Sequence, residues 1–185
     1  IGLEIDRLER IVRDFLQFAR PAEPELQVML ADQLLREIHG LLQSDLARKS
    51  VELKLELLAA VPIRVDSNKM KQVLINFIQN GADSMATGGV VTLRLRQDQQ
   101  LLNGRLVDAV VIDIADQGHG IPPEVQKRLF DPFFTTKEEG TGLGLSISAR
   151  IVEKHGGVIQ YQTQLNHGTT FSIVLPPVPK DEIKS

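Results

Sequence analysis

Four short groups of residues in this 185-residue chain are of types that do chemistry, and they follow one another in a fixed order. Asn76-Phe77-Ile78-Gln79-Asn80 supplies carboxamide oxygens. These are neutral ligands that can enter the octahedral shell of Mg2+ while phosphate oxygens and water fill the other positions. Asp116-Gln117-Gly118-His119-Gly120 supplies a carboxylate straight after an apolar run, placed to accept from an exocyclic amine. Such an acceptor selects adenine over guanine, which carries a carbonyl oxygen where adenine carries the amine. Asp131-Pro132-Phe133-Phe134-Thr135-Thr136-Lys137 supplies a flap with a cation at its end, and Gly140-Thr141-Gly142-Leu143-Gly144 supplies glycines before an apolar helix. A helix start of that kind offers unpaired amide hydrogens to an anion, and phosphate is the expected guest. Together they meet the needs of a metal-bound adenine nucleotide.

Each group also has a plainer reading. The asparagines extend a polar row, Gln72, Asn76, Asn80, that is also compatible with a solvated helix face near Asp83. Asp-x-Gly-x-Gly alone is an ordinary turn between a strand and a helix beginning near Pro122, with His119 an exposed turn residue. Phe133 and Phe134 read equally as core aromatics and as anchors of a lid. Lys137 reads as a phosphate contact or as a solvated lysine beside Glu138 and Glu139. Gly-x-Gly-x-Gly lacks both the Gly-Lys-Ser/Thr ending of a P-loop and the downstream acid of a dinucleotide fold.

The elements that must position these groups follow from periodicity. Helices are expected at 31–47, 67–85 and 142–155. Strands are expected at 51–58, 63–65, 90–96, 106–115, 157–164 and 169–175, with a polar loop containing Asn103-Gly104 between the third and fourth. Met70, Val73, Leu74, Phe77, Ile78, Ala82 and Met85 make the apolar stripe by which the middle helix packs on the sheet. Strands joined mostly as hairpins, with helices gathered on one side, give an α/β fold, a two-layer α/β sandwich with a mixed sheet. Ile1, Ile5, Leu8, Val12, Phe15 and Ala19 form a seam at alternating steps of four and three. It reads as part of a coiled coil or as an amphipathic helix docked on its own domain, ended by Pro21 and Pro24. The expected organisation is a helical segment at 1–20, a linker at 21–25, a catalytic unit at 26–180 and a tail at 181–185.

Composition sets outer bounds. An apolar content of 42% suffices for a core, and the chain has no cysteine, so no disulfide framework and no thiolate metal site is expected. That suits a cytoplasmic setting. A formal charge of -3 with both signs interspersed leaves no basic stripe for a nucleic acid backbone. No apolar run approaches the roughly 20 residues that span a bilayer, so no membrane contact by this segment is expected. His39, His119, His155 and His167 show no metal-ligand spacing, and His155 before Gly156 suits a helix C-terminus.

The ordered set Asn76-x-x-x-Asn80, Asp116-x-Gly118-x-Gly120, Phe133-Phe134, Gly140-x-Gly142-x-Gly144 and Gly168-Thr169-Thr170 resembles the N, G1, F, G2 and G3 boxes of sensor histidine kinases, within the gyrase, Hsp90, histidine kinase and MutL ATPase superfamily. The resemblance spans residues 26–177 and implies the ATP-binding fold of that superfamily, with ATP and Mg2+ bound. It makes Asn80 the metal ligand, Asn76 a phosphate-side contact, Asp116 the adenine acceptor, Gly140 to Gly144 the phosphate loop and Thr170 a neighbour of adenine. The nucleotide-contacting set it implies is Asn76, Asn80, Asp83, Asp116, Gly118, Gly120, Ile121, Phe133, Phe134, Thr136, Lys137, Gly140, Thr141, Gly142, Leu143, Gly144 and Thr170. The short spacing from Lys137 to Gly140 is similar to the nitrogen-regulation type, whose lid is short. Residues 1–20 resemble the second helix of a dimerisation hairpin. A homodimer in the full-length protein, the hairpin itself and a response-regulator receiver domain are the implied partners.

Four departures qualify the match. Asp83 stands where longer-lid kinases carry a base, so phosphate neutralisation rests on Mg2+, Lys137 and amides. Gly81 replaces an alanine and Gln117 an asparagine. No histidine here has the context of a phosphoacceptor, which is expected on an upstream helix. The fragment is therefore expected to bind ATP without phosphorylating itself. A dimerising ATPase of the superfamily, an anti-sigma-type serine kinase and a nucleotide-sensing module are the rival readings.

Overall fold

Parallel and antiparallel pairing coexist in one sheet, which fixes where the helices must lie. The computed structural model describes residues 2–19, 22–57, 60–137, 140–179 and 182. Strands β2 (Val51–Leu57), β4 (Gly89–Leu102), β5 (Arg105–Asp116), β7 (Gly168–Leu175) and β6 (Val158–Gln164) form a five-stranded sheet in the order β2-β4-β5-β7-β6. The β2/β4 pair is parallel and the other three are antiparallel. A parallel pair needs a crossover, and here it runs through β3 (Pro62–Val65) and helix α3 (Ser67–Asp83). The expected dominance of hairpins holds for β4/β5 and β6/β7 but not for β2.

Helices α2 (Ala31–Arg48), α3 and α5 (Gly144–Lys154) cover one face. Leu34, Leu35 and Ile38 of α2 and Met70, Val73, Leu74, Phe77 and Ile78 of α3 bury against Val91, Leu93, Leu95, Ile112, Ile114 and Ile173 of the strands. Phe77 reaches Phe171 on β7 with ring centroids 4.6 Å apart, pinning α3 over the middle of the sheet. The opposite face carries a small cluster of Leu102, Ala109, Val111 and Val174. Beside it the buried Asp113 accepts from Arg96 Nε at 2.8 Å and from Ser172 Oγ at 2.6 Å, so its charge is paired.

Three sequence expectations are corrected. The polar loop at 97–105 is strand: β4 and β5 stay paired to Leu102↔Arg105 and turn through Asn103 (φ 49°) and Gly104 (φ 76°) alone. Two positive φ values are what a two-residue hairpin turn demands, and Asn-Gly supplies them. Strand β1 (Gln27–Leu30), pairing antiparallel with β3, was not expected, and the helix after Pro122 is only α4 (Pro123–Gln126). Helix α5 begins at Gly144 rather than 142.

Helix α1 (Gly2–Ala19) presents Ile5, Leu8, Val12 and Phe15 to solvent, each about half exposed or more. Ile1 of the seam lies outside the described residues. Near its end, Phe18 O accepts from Arg150 at 2.7 Å, and the Phe18 ring lies 4.8 Å from the same guanidinium. Among the described residues, no helix is long and apolar enough to cross a membrane.

Candidate functional site

Helix α3 is fixed at both ends by polar contacts, and this orients its polar row. Asp66 caps its start by accepting from the Lys69 amide at 3.1 Å. The Asp66 amide in turn donates to His155 Nε2 at 3.0 Å, so His155 carries its proton on Nδ1 and donates it to Ile151 O at 2.7 Å. His155 is thus the C-cap of α5 and also a tie between α5 and α3. Half-buried Asn76 donates through Nδ2 to Ser148 Oγ of α5 at 3.0 Å. Its Oδ1 faces Asn80 Nδ2 at 3.5 Å, which turns Asn80 so that Oδ1 points away.

Asp116 closes β5 and is half-buried beside the last turn of α3. Its Oδ1 accepts from the Gly118 amide at 2.8 Å, the Thr169 amide at 3.2 Å and Ser84 Oγ at 3.3 Å. Every bond to this carboxylate among the described residues falls on Oδ1, so Oδ2 retains its accepting capacity. Burial raises the carboxyl above its ordinary range, outweighing the bonds from Gly118, Thr169 and Ser84, which pull the other way. Gly81 passes close to this carboxylate, and an added Cβ would lie 3.1 Å from Asp116 Cβ. Gly118 sits so close to Ser84 that its Cβ would fall 1.8 Å from the hydroxyl, and Gly120 (φ 73°) lies against Gln164 O. A cleft of about 290 Å³ opens beside Asp116, lined among others by Thr163, His167 and Thr170. Thr170 is therefore brought to the same cleft as Asp116. Ile121 packs against the core while its amide donates to Thr163 Oγ1 at 2.9 Å.

The segment from Asp131 to Lys137 stands on the opposite side of Asn80. Neither of its aromatics belongs to the core. Phe133 is 59% exposed, holds φ 65° and meets Phe18 edge-on at 6.0 Å, while Phe134 lies under the Arg128 guanidinium at 4.4 Å. The core reading of this pair is thereby overturned. Thr136 is exposed. Lys137 Nζ donates to Asn80 Oδ1 at 2.8 Å and to Asp83 Oδ2 at 2.8 Å. Lys49 Nζ lies 3.3 Å from Asp83 Oδ1. Partial burial opposes ionisation of Asp83, but the bonds from Lys137 and Lys49 outweigh it and hold the carboxyl below its usual range. Gly140, Thr141 and Gly142 lead to the buried Leu143 and to Gly144, where α5 starts. Gly142 adopts φ 68° with its Cβ position 2.4 Å from the Phe133 backbone, and at Gly144 a Cβ would lie 2.6 Å from Asn76 Oδ1. The glycine loop is thus pressed against the asparagine row.

The donor set suits Mg2+ carried mainly by phosphate. No group of three or more His, Asp or Glu that could cage a metal occurs among the described residues, and a cation already sits on Asn80 Oδ1 in the form of the Lys137 ammonium. One neutral oxygen is what a metal that keeps its waters and phosphates needs from the protein. Sequence reasoning missed Ser84 and Ser148, which orient Asp116 and Asn76, and Lys49, and it quoted Thr169 within a motif without the amide bond it gives Asp116. A hydroxyl at 84, directly after the asparagine row, was the only available hint.

A family model for the histidine kinase-, DNA gyrase B- and HSP90-like ATPases matches residues 65–179. The chain belongs to this family. Among curated relatives, sporulation kinase E of Bacillus subtilis (strain 168) is 35% identical over 177 residues, covering 95% of this chain and 23% of that protein. The chain therefore spans about a quarter of that relative's length. Full-length ShkA in complex with AMPPNP superposes with a TM-score of 0.78 at 28% identity, over 92% of this chain and 36% of that one. Histidine kinase ThkA in complex with response regulator protein TrrA superposes with a TM-score of 0.77 at 26% identity, over all of this chain and 50% of that one. The mixed sheet with its helices on one face is thus the α/β sandwich of histidine kinase catalytic domains within the family.

Proposed function

We propose that this chain is the ATP-binding, phosphoryl-donating part of a two-component sensor histidine kinase, and that it presents the γ-phosphate to a histidine on an upstream helix for relay to a response-regulator aspartate. The observation that carries the reading is the placement of α3 between two fitted surfaces: Gly81 against Asp116 on one side, and Asn76 against Gly144 on the other. Adenine binds with its amine toward Asp116 Oδ2, with Thr170, Gly118, Gly120 and Ile121 around it. The phosphates bind along Asn76, Asn80 and the loop Gly140 to Gly144, under the lid that carries Phe133, Phe134, Thr136 and Lys137. Asn80 holds Mg2+, which when bound neutralises phosphate charge. Similarity to ShkA, a kinase solved with an ATP analogue, and to sporulation kinase E supports this assignment.

Three of the four histidines bond into the fold, and the fourth, His167, lies at the Asp116 cleft, whose lining includes no residue of the loop Gly140 to Gly144. His39 bonds Leu53 O, His119 bonds the Gly120 carbonyl, His155 ties two helices, and His167 borders the Asp116 cleft. Incubation with Mg2+ and γ-labelled ATP is therefore expected to leave no acid-labile, alkali-stable phosphate on this chain, and to leave it on a longer chain that includes the upstream hairpin. Bound nucleotide with label on neither would reject the kinase in favour of a dimerising ATPase or a nucleotide sensor.

A further inference from the structure

Lys137 is placed on the one oxygen that the nucleotide reading reserves for metal. Its ammonium is 2.8 Å from Asn80 Oδ1 and 2.8 Å from Asp83 Oδ2, acceptors one turn apart on the same face of α3. The amide nitrogen of Asn80 faces Asn76 Oδ1 at 3.5 Å, which leaves this oxygen directed toward Lys137. Asp83 keeps the ammonium in place and itself carries a second lysine, Lys49. The three charges sum to one positive charge beside the phosphate loop, although the residue nearest Asn80 on this face is an acid. An ammonium and a divalent ion on a single carboxamide oxygen would be held within a few ångströms of each other, and their repulsion excludes joint occupancy.

Resting on the reading of Asn80 as the metal ligand, we propose that Lys137 is a surrogate cation: it fills the metal position on Asn80, supports nucleotide phosphate without a divalent ion, and is displaced when that ion arrives. Lys137 in this role is a positioning and charge-balancing residue of the lid. The proposal accounts for Asp83, which would otherwise repel the ligand, and for the lid lysine pointing down onto α3 instead of into solvent.

The test is titration of ADP into this chain by calorimetry, once with excess Mg2+ and once with a chelator, for wild type, Lys137→Met and Lys137→Arg. Loss of a charged hydrogen-bond donor on phosphate corresponds to a change of about tenfold or more. Lys137→Met is expected to weaken metal-free ADP by that factor and to raise the ratio of Mg2+-supported to metal-free affinity by about tenfold or more, because the metal no longer has an ammonium to displace, with Lys137→Arg restoring metal-free binding. Equal weakening in both conditions would make Lys137 a simple phosphate contact and overturn the proposal. No weakening in either would make it a solvated lysine, with the same result. Absence of ADP binding by wild type in both conditions would instead remove the nucleotide site itself.

Discussion

The two ends of the cleft are built differently. At the base end, Asp116 is half-buried, takes three hydrogen bonds on one oxygen and lies near Gly120 and Gly168, where an added Cβ would collide with backbone. At the phosphate end, Lys137 and Phe133 are about half exposed or more, and their contacts are to side chains that a ligand can displace. Burial costs a carboxylate free energy, and fixed amide and hydroxyl donors recover part of it. Exposed ion pairs contribute little and exchange readily. On the proposed assignment, the base would meet groups fixed by burial and by backbone donors, and the phosphates would meet exposed side chains.

The largest effect should come from breaking the fixed end. Asp116→Asn keeps the acceptor at Oδ1 but turns the other position into a donor facing the adenine amine. ADP affinity is expected to fall by roughly 2–3 kcal/mol, the scale of a charged hydrogen bond lost and replaced by a clash of donors. Melting temperature should stay equal or rise, because a half-buried charge is removed. The pH dependence has a defined sign. Burial raises the Asp116 carboxyl, so the stability this group contributes is fullest at low pH, where it is protonated, and declines as pH rises through its raised value. Binding needs the ionised form and should be lost on acidification already above the ordinary aspartate range. Calorimetry and melting curves across pH, on wild type and Asp116→Asn, check both. Retained affinity in the variant would mean that the base is not held at this end.

The contrast also decides what was legible in the sequence. Asp116 and Gly118 lie at a strand end and could be named from the residues there, and Thr170 from the family resemblance. The long-range ties were not legible. Lys49 meets Asp83 across 34 positions, and Ser84 meets Asp116 across 32, because α3 is laid over the sheet and not because of any local spacing. Strand β1 escaped notice because it is four residues long and mostly exposed, so alternation gives almost no signal. The extension of β4 through Gln97, Asp98, Gln99 and Gln100 escaped for a related reason: these polar residues pair by backbone with β5 beyond the covered core. His155 was read as a helix cap from its place before Gly156, but its second bond, to Asp66, depends on packing across 89 positions.

A smaller effect should follow from stiffening the phosphate end. Gly142 holds φ 68°, which an L side chain rarely adopts, and its Cβ position collides with the Phe133 backbone. Gly142→Ala is expected to cost about 1–2 kcal/mol in ADP affinity through strain in the loop. Adenosine, which has no phosphate, should bind nearly as before. The ratio of the two affinities, measured by calorimetry on wild type and variant, sharpens the division between the ends. An equal loss for both ligands would show that the loop and the base end act as one rigid unit.

The smallest effect belongs to Lys49. Its bond to Asp83 is 3.3 Å long between side chains 59% and 39% exposed, so solvent and salt screen it. Lys49→Ala is expected to weaken ADP by less than about 1 kcal/mol at low ionic strength and not measurably at high salt. The direction still matters. Lys49 and Lys137 share one carboxylate, and removing the outer lysine leaves Asp83 to hold the inner one alone, closer to full neutralisation. If Lys49 acts only by adding to the positive field, its loss fades with salt in step with screening. If it acts by loosening the grip of Asp83 on Lys137, its loss should weaken Mg-ADP more than metal-free ADP, because the tighter Lys137 must then be displaced by the metal. Affinity at two salt concentrations, each with and without Mg2+, separates the two.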